Sequence, residues 1–351
     1  MRKLNVLVAG STGYIGIQLV NILLNHRYVK IKYLCGNSSI GKNISVYDSK
    51  LKSKKLPKIV KFNYNFLNDV DIIFTALPNG EAQKISKKIL KNNVLIDLSA
   101  DFRLEKASEY LKWYKQKHNA PKLIKKSFYS LPELSGSKIK DYQIIGCPGC
   151  YPTSILLPLS PLLSKKLIKK DNIIIDSKSG YSGAGRGVHE KYKNKNLYES
   201  LSAYGVSIHR HNSEIQQFLD KINKNKINFT FTPHLTPMFR GILSTIYVDL
   251  NQGTTIKKLY NELVNFYKKT NFIKVAKFNS MLSTNDVINT NNCEISVCNS
   301  KFKNKAIILS TIDNLIKGGA GQAVQNMNLL KNFKEIEGLK WKSYWLFFFL
   351  P

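Results

Sequence analysis

Residues 4–16 read Leu4-Asn5-Val6-Leu7-Val8-Ala9-Gly10-Ser11-Thr12-Gly13-Tyr14-Ile15-Gly16. An apolar run of strand length passes into three glycines spaced by three. The segment Ile17-Gln18-Leu19-Val20-Asn21-Ile22-Leu23-Leu24 follows, with apolar residues at helical spacing. Between a strand and a helix, a glycine-rich turn this early in the chain reads as a dinucleotide-binding turn, the other reading being an ordinary tight strand-to-helix turn. Its glycines let the backbone approach a pyrophosphate, and the helix N-terminus favours negative charge. The spacing is GxxGxxG rather than GxGxxG. Gly10, Ser11, Thr12, Gly13, Tyr14, Ile15 and Gly16 are therefore candidate cofactor-binding residues.

Outward from this turn, strands are expected at residues 31–34, 71–76 and 94–97, with a helix over 80–90. Alternation of strand and helix argues for a parallel sheet covered on its faces. Beyond residue 150 the rhythm changes. Helices are expected over 153–163 and 256–267, and strands at 173–176, 229–235, 242–249, 295–297 and 306–312. The expected architecture is α/β: a Rossmann-type dinucleotide-binding domain (1–149 plus 313–351) and a second α+β domain of mixed sheet (150–312). A last helix over 321–330 returns to the first domain. The Lys-rich stretch 50–61 reads as exposed loop.

The turn after the second strand reads Leu34-Cys35-Gly36-Asn37-Ser38-Ser39-Ile40-Gly41-Lys42. It lacks the acid that would bond the ribose hydroxyls of NAD. Its small hydroxyls, Ser38 among them, and its lysine suit a 2′-phosphate, so the expected cofactor is NADP.

Cys147-Pro148-Gly149-Cys150-Tyr151-Pro152-Thr153 carries the chemistry. Pro152 suits the first position of a helix, leaving Cys150 just ahead of a helix N-terminus, where the dipole lowers a thiol pKa. Cys150 is the candidate nucleophile, with Cys147 packed at a strand end. A redox pair and a zinc site completed by Cys293 and Cys298 are the other readings. The base is sought among six histidines. His26 and His118 lie among polar residues and read as exposed. His209-Arg210-His211-Asn212-Ser213-Glu214 ends an extended segment, whose alternation puts His209 and His211 on one side. Asn212 is placed to cap the helix that follows.

The chain has 351 residues, 54 Lys+Arg against 23 Asp+Glu, and a formal net charge of +31. Such a balance suggests nucleic acid or an acidic surface. However, only six of the basic residues are Arg, whereas 48 are Lys beside 34 Asn and 36 Ile. That is the composition A/T-rich codons produce, so no nucleic-acid partner is expected. No apolar run is long enough to span a membrane. The first apolar run is too short for a secretory signal. Five cysteines are few and odd in number, which favours the cytoplasm.

The glycine turn, Ser99-Ala100-Asp101-Phe102-Arg103, Leu131-Pro132-Glu133, Cys147–Thr153, residues 177–186, 209–215, 232–241 and Asp313-Asn314-Leu315-Ile316-Lys317-Gly318 occur in one order. Together they closely resemble N-acetyl-γ-glutamyl-phosphate reductase of arginine biosynthesis over residues 4–339. The resemblance implies that Cys150 attacks N-acetyl-L-glutamyl 5-phosphate and expels phosphate, and that NADPH reduces the thioester to the semialdehyde. It further implies His211 as acid/base with His209 on the substrate, or those roles exchanged. Arg103, Ser179, Gly180, Arg186, Glu214 and Arg240 are implied as substrate-binding. Asn314, Lys317 and Gly318 are implied on the cofactor side. The implied partners are a small acyl phosphate and further copies of the chain, in a dimer or tetramer; no metal is implied. Close alternatives are the reductase acting on an acylated aminoadipyl phosphate and aspartate-semialdehyde dehydrogenase. The aromatic ending at residues 341–351 reads as a cover for an apolar groove.

Overall fold

The computed structural model describes residues 2–187 and 199–339, so the aromatic ending lies outside the described residues. β1 (Leu4–Ala9) leads into α1 (Tyr14–Leu24), then β2 (Val29–Cys35), β3 (Ile59–Val60) and β4 (Ile72–Thr75). α2 (Glu81–Ser86), β5 (Val94–Asp97), α3 (Ala107–Tyr114), α4 (Pro121–Ile124), β6 (Ser127–Tyr129), α5 (Pro132–Ser135) and β7 (Ile144–Gly146) follow. The seven strands form a parallel sheet in the order β3-β2-β1-β4-β5-β7-β6. Val6, Leu7, Val8 and Ala9 are all fully buried, as a strand covered on both faces requires. β1 pairs with both β2 and β4. The glycine turn therefore opens at the point where the winding reverses, the place where open α/β sheets receive ligands.

The second unit comprises α6 (Cys150–Ser164), β8 (Ile173–Gly180), β9 (Ser202–Ala203), α7 (His211–Asn223), β10 (Phe229–Thr236), β11 (Ile242–Asp249), α8 (Ile256–Tyr267), β12 (Ile273–Val275), β13 (Cys293–Asn299) and β14 (Lys305–Ile312). Its mixed sheet has the order β12-β13-β14-β11-β8-β10-β9. Ile155, Leu159, Ile215, Leu219, Leu259 and Leu263 from the helices bury one face, against Ile175, Ile246 and Ile308. On the opposite face Ile174, Tyr247 and Ile307 lie side by side in register. Ile174 is 50% and Tyr247 42% exposed.

After β14 the chain makes a π-helical turn (Ile316–Ala320) and enters α9 (Gly321–Leu330). Ile316, Ala320, Ala323, Val324 and Met327 join the core that holds Val6, Leu19 and Ile22, so the chain does return to the first sheet. Three local expectations fail. Residues 50–61 are not all loop, because Ile59 pairs with Leu34 as an edge strand. β8 runs to Gly180, because pairing with both β10 and β11 keeps that segment extended. His26 and His118 are buried, hydrogen-bonded to Asn328 and to the Asp101 carbonyl.

Candidate active site

A cleft of about 810 Å³ runs between the two units. Thr12, Gly13, Tyr14, Ile15 and Gly16 line one side, and Cys150, His209, His211 and Ser179 line the other. Gly10 and Ser11 lie beneath the turn rather than in the cleft. Gly10 has φ +83°, and a Cβ there would sit 2.1 Å from the Ala76 carbonyl oxygen. The Ser11 hydroxyl donates to the Cys35 carbonyl at 3.1 Å. Ser38 is exposed on the next turn, its hydroxyl 3.5 Å from that of Ser39.

α6 starts two residues earlier than Pro152 suggests. Gly149 is its N-cap and Cys150 its first residue. Proline is equally at home deeper in a first turn, where its missing N–H would find no intrahelical partner anyway. A Cβ on Gly149 would lie 2.4 Å from His211 Nε2, and one on Gly318 would lie 2.6 Å from Cys150 Cβ. The nucleophile candidate is thus pressed between α7 and the π-turn. Burial pushes its thiol up to about 11, against the opposing pull of the Arg103 guanidinium and the N–H groups of Tyr151 and Cys150. The expected lowering by the helix N-terminus is overridden, because desolvation penalises the thiolate more than those donors stabilise it. Cys147 is buried, contacts the Asn326 side chain at 3.7 Å, and is pushed up to about 12 by burial.

His209 and His211 do come together, with ring centroids 4.7 Å apart. Strand alternation is not the cause. Gly205 and Ser207 take positive φ and turn the chain, and His211 is the first residue of α7. Asn212 therefore lies inside the helix and cannot cap it. His209 Nδ1 accepts the His211 backbone N–H at 3.1 Å. Burial lowers both imidazoles, His209 to about 4 and His211 well below its usual value. Both are neutral near pH 7. Tyr151 packs edge-on against both rings.

Glu214 is fully buried, not a cleft wall. Its carboxylate accepts from Arg103 Nη1 at 3.0 Å, from the Tyr129 hydroxyl at 3.2 Å and from the Gly149 N–H at 3.0 Å, and it lies 3.6 Å from His211 Nε2. Arg103 lines the cleft with its Nη1 3.4 Å from His211 Nε2. Arg240 does not reach the cleft: Asp313 at 3.1 Å and Asn289 at 2.6 Å hold it. Gly180 is backed against Arg240, where a Cβ would meet its backbone N at 2.6 Å. Asn314 faces the cleft and ties Gly241 N–H and the Ser182 hydroxyl, at 2.7 and 3.0 Å. Lys317 is fully buried and bonds Glu133 at 2.5 Å and Gln325 at 2.9 Å, away from the cleft. Arg186 faces the cleft above Tyr14.

Arg210, Asn79, Tyr151 and Tyr204 also line the cleft, and sequence reasoning had not assigned them. Arg210 bonds Asn79 at 2.9 Å. Its position between the two histidines was the available signal. Among the described residues no group of three or more metal-ligating side chains gathers, and no helix is long and apolar enough to cross a membrane.

The family models of the semialdehyde dehydrogenase NAD binding domain and of the semialdehyde dehydrogenase dimerisation domain match residues 5–142 and 150–314. An N-acetyl-gamma-glutamyl-phosphate reductase of Clostridium beijerinckii is 43% identical over 334 residues, 95% of this chain and 96% of that protein. A probable chloroplastic N-acetyl-gamma-glutamyl-phosphate reductase of Arabidopsis thaliana is 40% identical over 338 residues, 96% of this chain and 84% of that protein. Among solved structures, aspartate semialdehyde dehydrogenase II of Vibrio cholerae, complexed with ASA, has a TM-score of 0.70 at 16% identity, covering 95% of this chain and 99% of that one. The Candida albicans aspartate semialdehyde dehydrogenase with NADP has a TM-score of 0.67 at 16% identity, covering 94% and 98%. The fold is therefore that of the semialdehyde dehydrogenases, and the chain belongs to their family, among the N-acetyl-gamma-glutamyl-phosphate reductases.

Proposed function

We propose that the protein reduces N-acetyl-L-glutamyl 5-phosphate to N-acetyl-L-glutamate 5-semialdehyde and phosphate, with NADPH, in arginine biosynthesis. The observation that carries this reading is one cleft joining the glycine turn to Cys150, two neutral imidazoles and Arg103. The glycine turn fits a dinucleotide, because Gly13 presents bare backbone to the cleft, where an added Cβ would come near only the Gly10 carbonyl oxygen, at 3.6 Å. Thr12 to Gly16 would hold the pyrophosphate, and Asn314 and Gly318 would lie at the nicotinamide end. When bound, the nicotinamide supplies the hydride that reduces the acyl group.

The chain's own residues do the rest. A thiol held neutral by burial needs a base at the moment of attack, and neutral His211 takes that proton. Cys150 sulfur bonds to the acyl carbon, and the carbon–oxygen bond to phosphate breaks. After reduction the hemithioacetal releases aldehyde and the proton returns to sulfur. His209 fixes the His211 backbone and offers its other ring nitrogen to substrate. The N–H groups of Cys150 and Tyr151 at the start of α6, which act on the thiol, would donate to the oxyanion as it forms. Arg210 supplies the cationic wall for carboxylate and phosphate, while Arg103, paired with Glu214, borders the cleft beside His211. Ser179 borders the same space, whereas Glu214, Gly180 and Arg240 support it from behind.

We also infer that the chain divides functionally into 1–149 plus 313–351 and 150–312, and that copies associate through the open sheet face bearing Ile174, Tyr247 and Ile307. Five free cysteines suit a reducing compartment, the cytoplasm. The testing experiment supplies the semialdehyde, phosphate and NADP⁺ and follows NADPH absorbance. Turnover that depends on all three supports the reading; no turnover with this semialdehyde, but turnover with a longer or shorter one, overturns it.

A further inference from the structure

We propose that Arg186, carried by the second unit, binds the 2′-phosphate of the cofactor. Three motif arginines were candidates for the substrate, and two of them are neutralised. Arg103 pairs with buried Glu214, and Arg240 pairs with buried Asp313. Arg186 has no carboxylate partner among the described residues. Its position is also different. Its Nε donates to the carbonyl oxygen of Thr12, inside the glycine turn, at 3.0 Å. The guanidinium carbon lies 4.5 Å from the centre of the Tyr14 ring and 5.4 Å from that of Tyr47.

Tyr47 supplies the link to the sugar. Its hydroxyl bonds the Ser39 hydroxyl, and Ser39 neighbours exposed Ser38 on the turn after β2. That turn is where a doubly wound sheet meets the adenosine ribose, and here it carries no acid for the 2′-hydroxyl. The aromatic faces of Tyr14 and Tyr47 hold the guanidinium plane, and the Thr12 carbonyl occupies Nε. The two terminal nitrogens remain, a fork that matches two oxygens of a phosphate monoester. The second-strand turn carries Lys42 but no arginine; the guanidinium comes instead from Arg186, 174 residues from its partner Thr12. Cofactor seated there would tie the two units together.

This assignment rests on the NADP reading, and one titration separates them. Binding of 2′,5′-ADP and 5′-AMP is measured by calorimetry for the full chain, for Arg186→Met and for Arg186→Lys. The wild type is expected to favour 2′,5′-ADP by at least about tenfold. Arg186→Met is expected to lose that preference by weakening 2′,5′-ADP alone, and Arg186→Lys to keep part of it. If Arg186→Met weakens both ligands equally, or neither, the assignment to the 2′-phosphate is overturned while the NADP reading stands. If the wild type shows no preference, the NADP reading falls and the assignment with it. Arg186 is exposed, so neither variant disturbs a core.

Discussion

The Glu214 carboxylate accepts a hydrogen bond from the backbone N–H of Gly149, the residue before Cys150, at 3.0 Å. The same carboxylate neutralises Arg103 and lies 3.6 Å from His211. One buried acid therefore sets the position of the nucleophile, the base and the nearest cation. Its negative charge also raises the Cys150 thiol, whereas Arg103 lowers it.

Glu214→Gln keeps an acceptor for Gly149 but removes that charge. The thiol of this variant should titrate below the wild-type value, so iodoacetamide alkylates Cys150 faster at pH 8. The kcat should nevertheless fall at least tenfold, because Arg103 and His211 lose their shared anchor. Glu214→Ala strands a buried guanidinium and should cost about 3–5 kcal/mol in denaturant unfolding.

In the ligand-free enzyme, alkylation of Cys150 should climb with pH toward about 11. It should not level off near pH 7, as it would for a thiol activated by a helix dipole. Cys147, buried and raised to about 12, should stay unmodified. The check is labelling rate against pH, with the peptides mapped by mass spectrometry.

Lys317→Met should behave as a core mutation. It leaves Glu133 buried without its cation, at a cost of about 3–5 kcal/mol. The KM for NADPH should stay within about threefold, because the ammonium does not reach the cleft. A large rise in KM with stability unchanged would place Lys317 on the cofactor after all.

Stability should fall as pH drops below 6.5. His26, His118, His209 and His211 are all lowered by burial, so the unfolded chain takes up protons that the folded one refuses. Their contribution is complete above the unfolded value of 6.5 and is lost toward their folded values. Each such proton costs about 1.4 kcal/mol per pH unit. Asp97, raised to about 6 by burial, opposes this with a single proton. Urea unfolding at pH 7 and pH 5 measures the difference.

Local patterns were the legible part of the fold. β1, α1 and the turn between them follow from apolar period and glycine spacing. β11 and α8 follow from their own periodicity at Ile242–Asp249 and Ile256–Tyr267. The short β3, β6, β7 and β9 were not visible, since two or three residues carry no period. Cys150, His209, His211 and the lining residues of the glycine turn were legible because each sits in a motif of chemically committed residues. Charge pairing was not. Arg103 and Glu214 are 111 residues apart, and Arg240 and Asp313 are 73 apart. Motif membership alone does not tell a cation in the cleft from one neutralised behind it. The thiol pKa was misread for the same reason: the helix N-terminus is local, but the burial that outweighs it comes from α7 and the π-turn.

The central claim is that the acyl group passes through Cys150. The most direct measurement incubates the enzyme with N-acetyl-L-glutamate 5-semialdehyde and NADP⁺ without phosphate, then maps the covalent state by mass spectrometry. The expected result is one N-acetylglutamyl group replacing the thiol hydrogen of Cys150, discharged when phosphate is added and absent in Cys150→Ser. An enzyme that turns over at full rate with Cys150 unacylated, or with Cys150 replaced by Ser, would contradict the account.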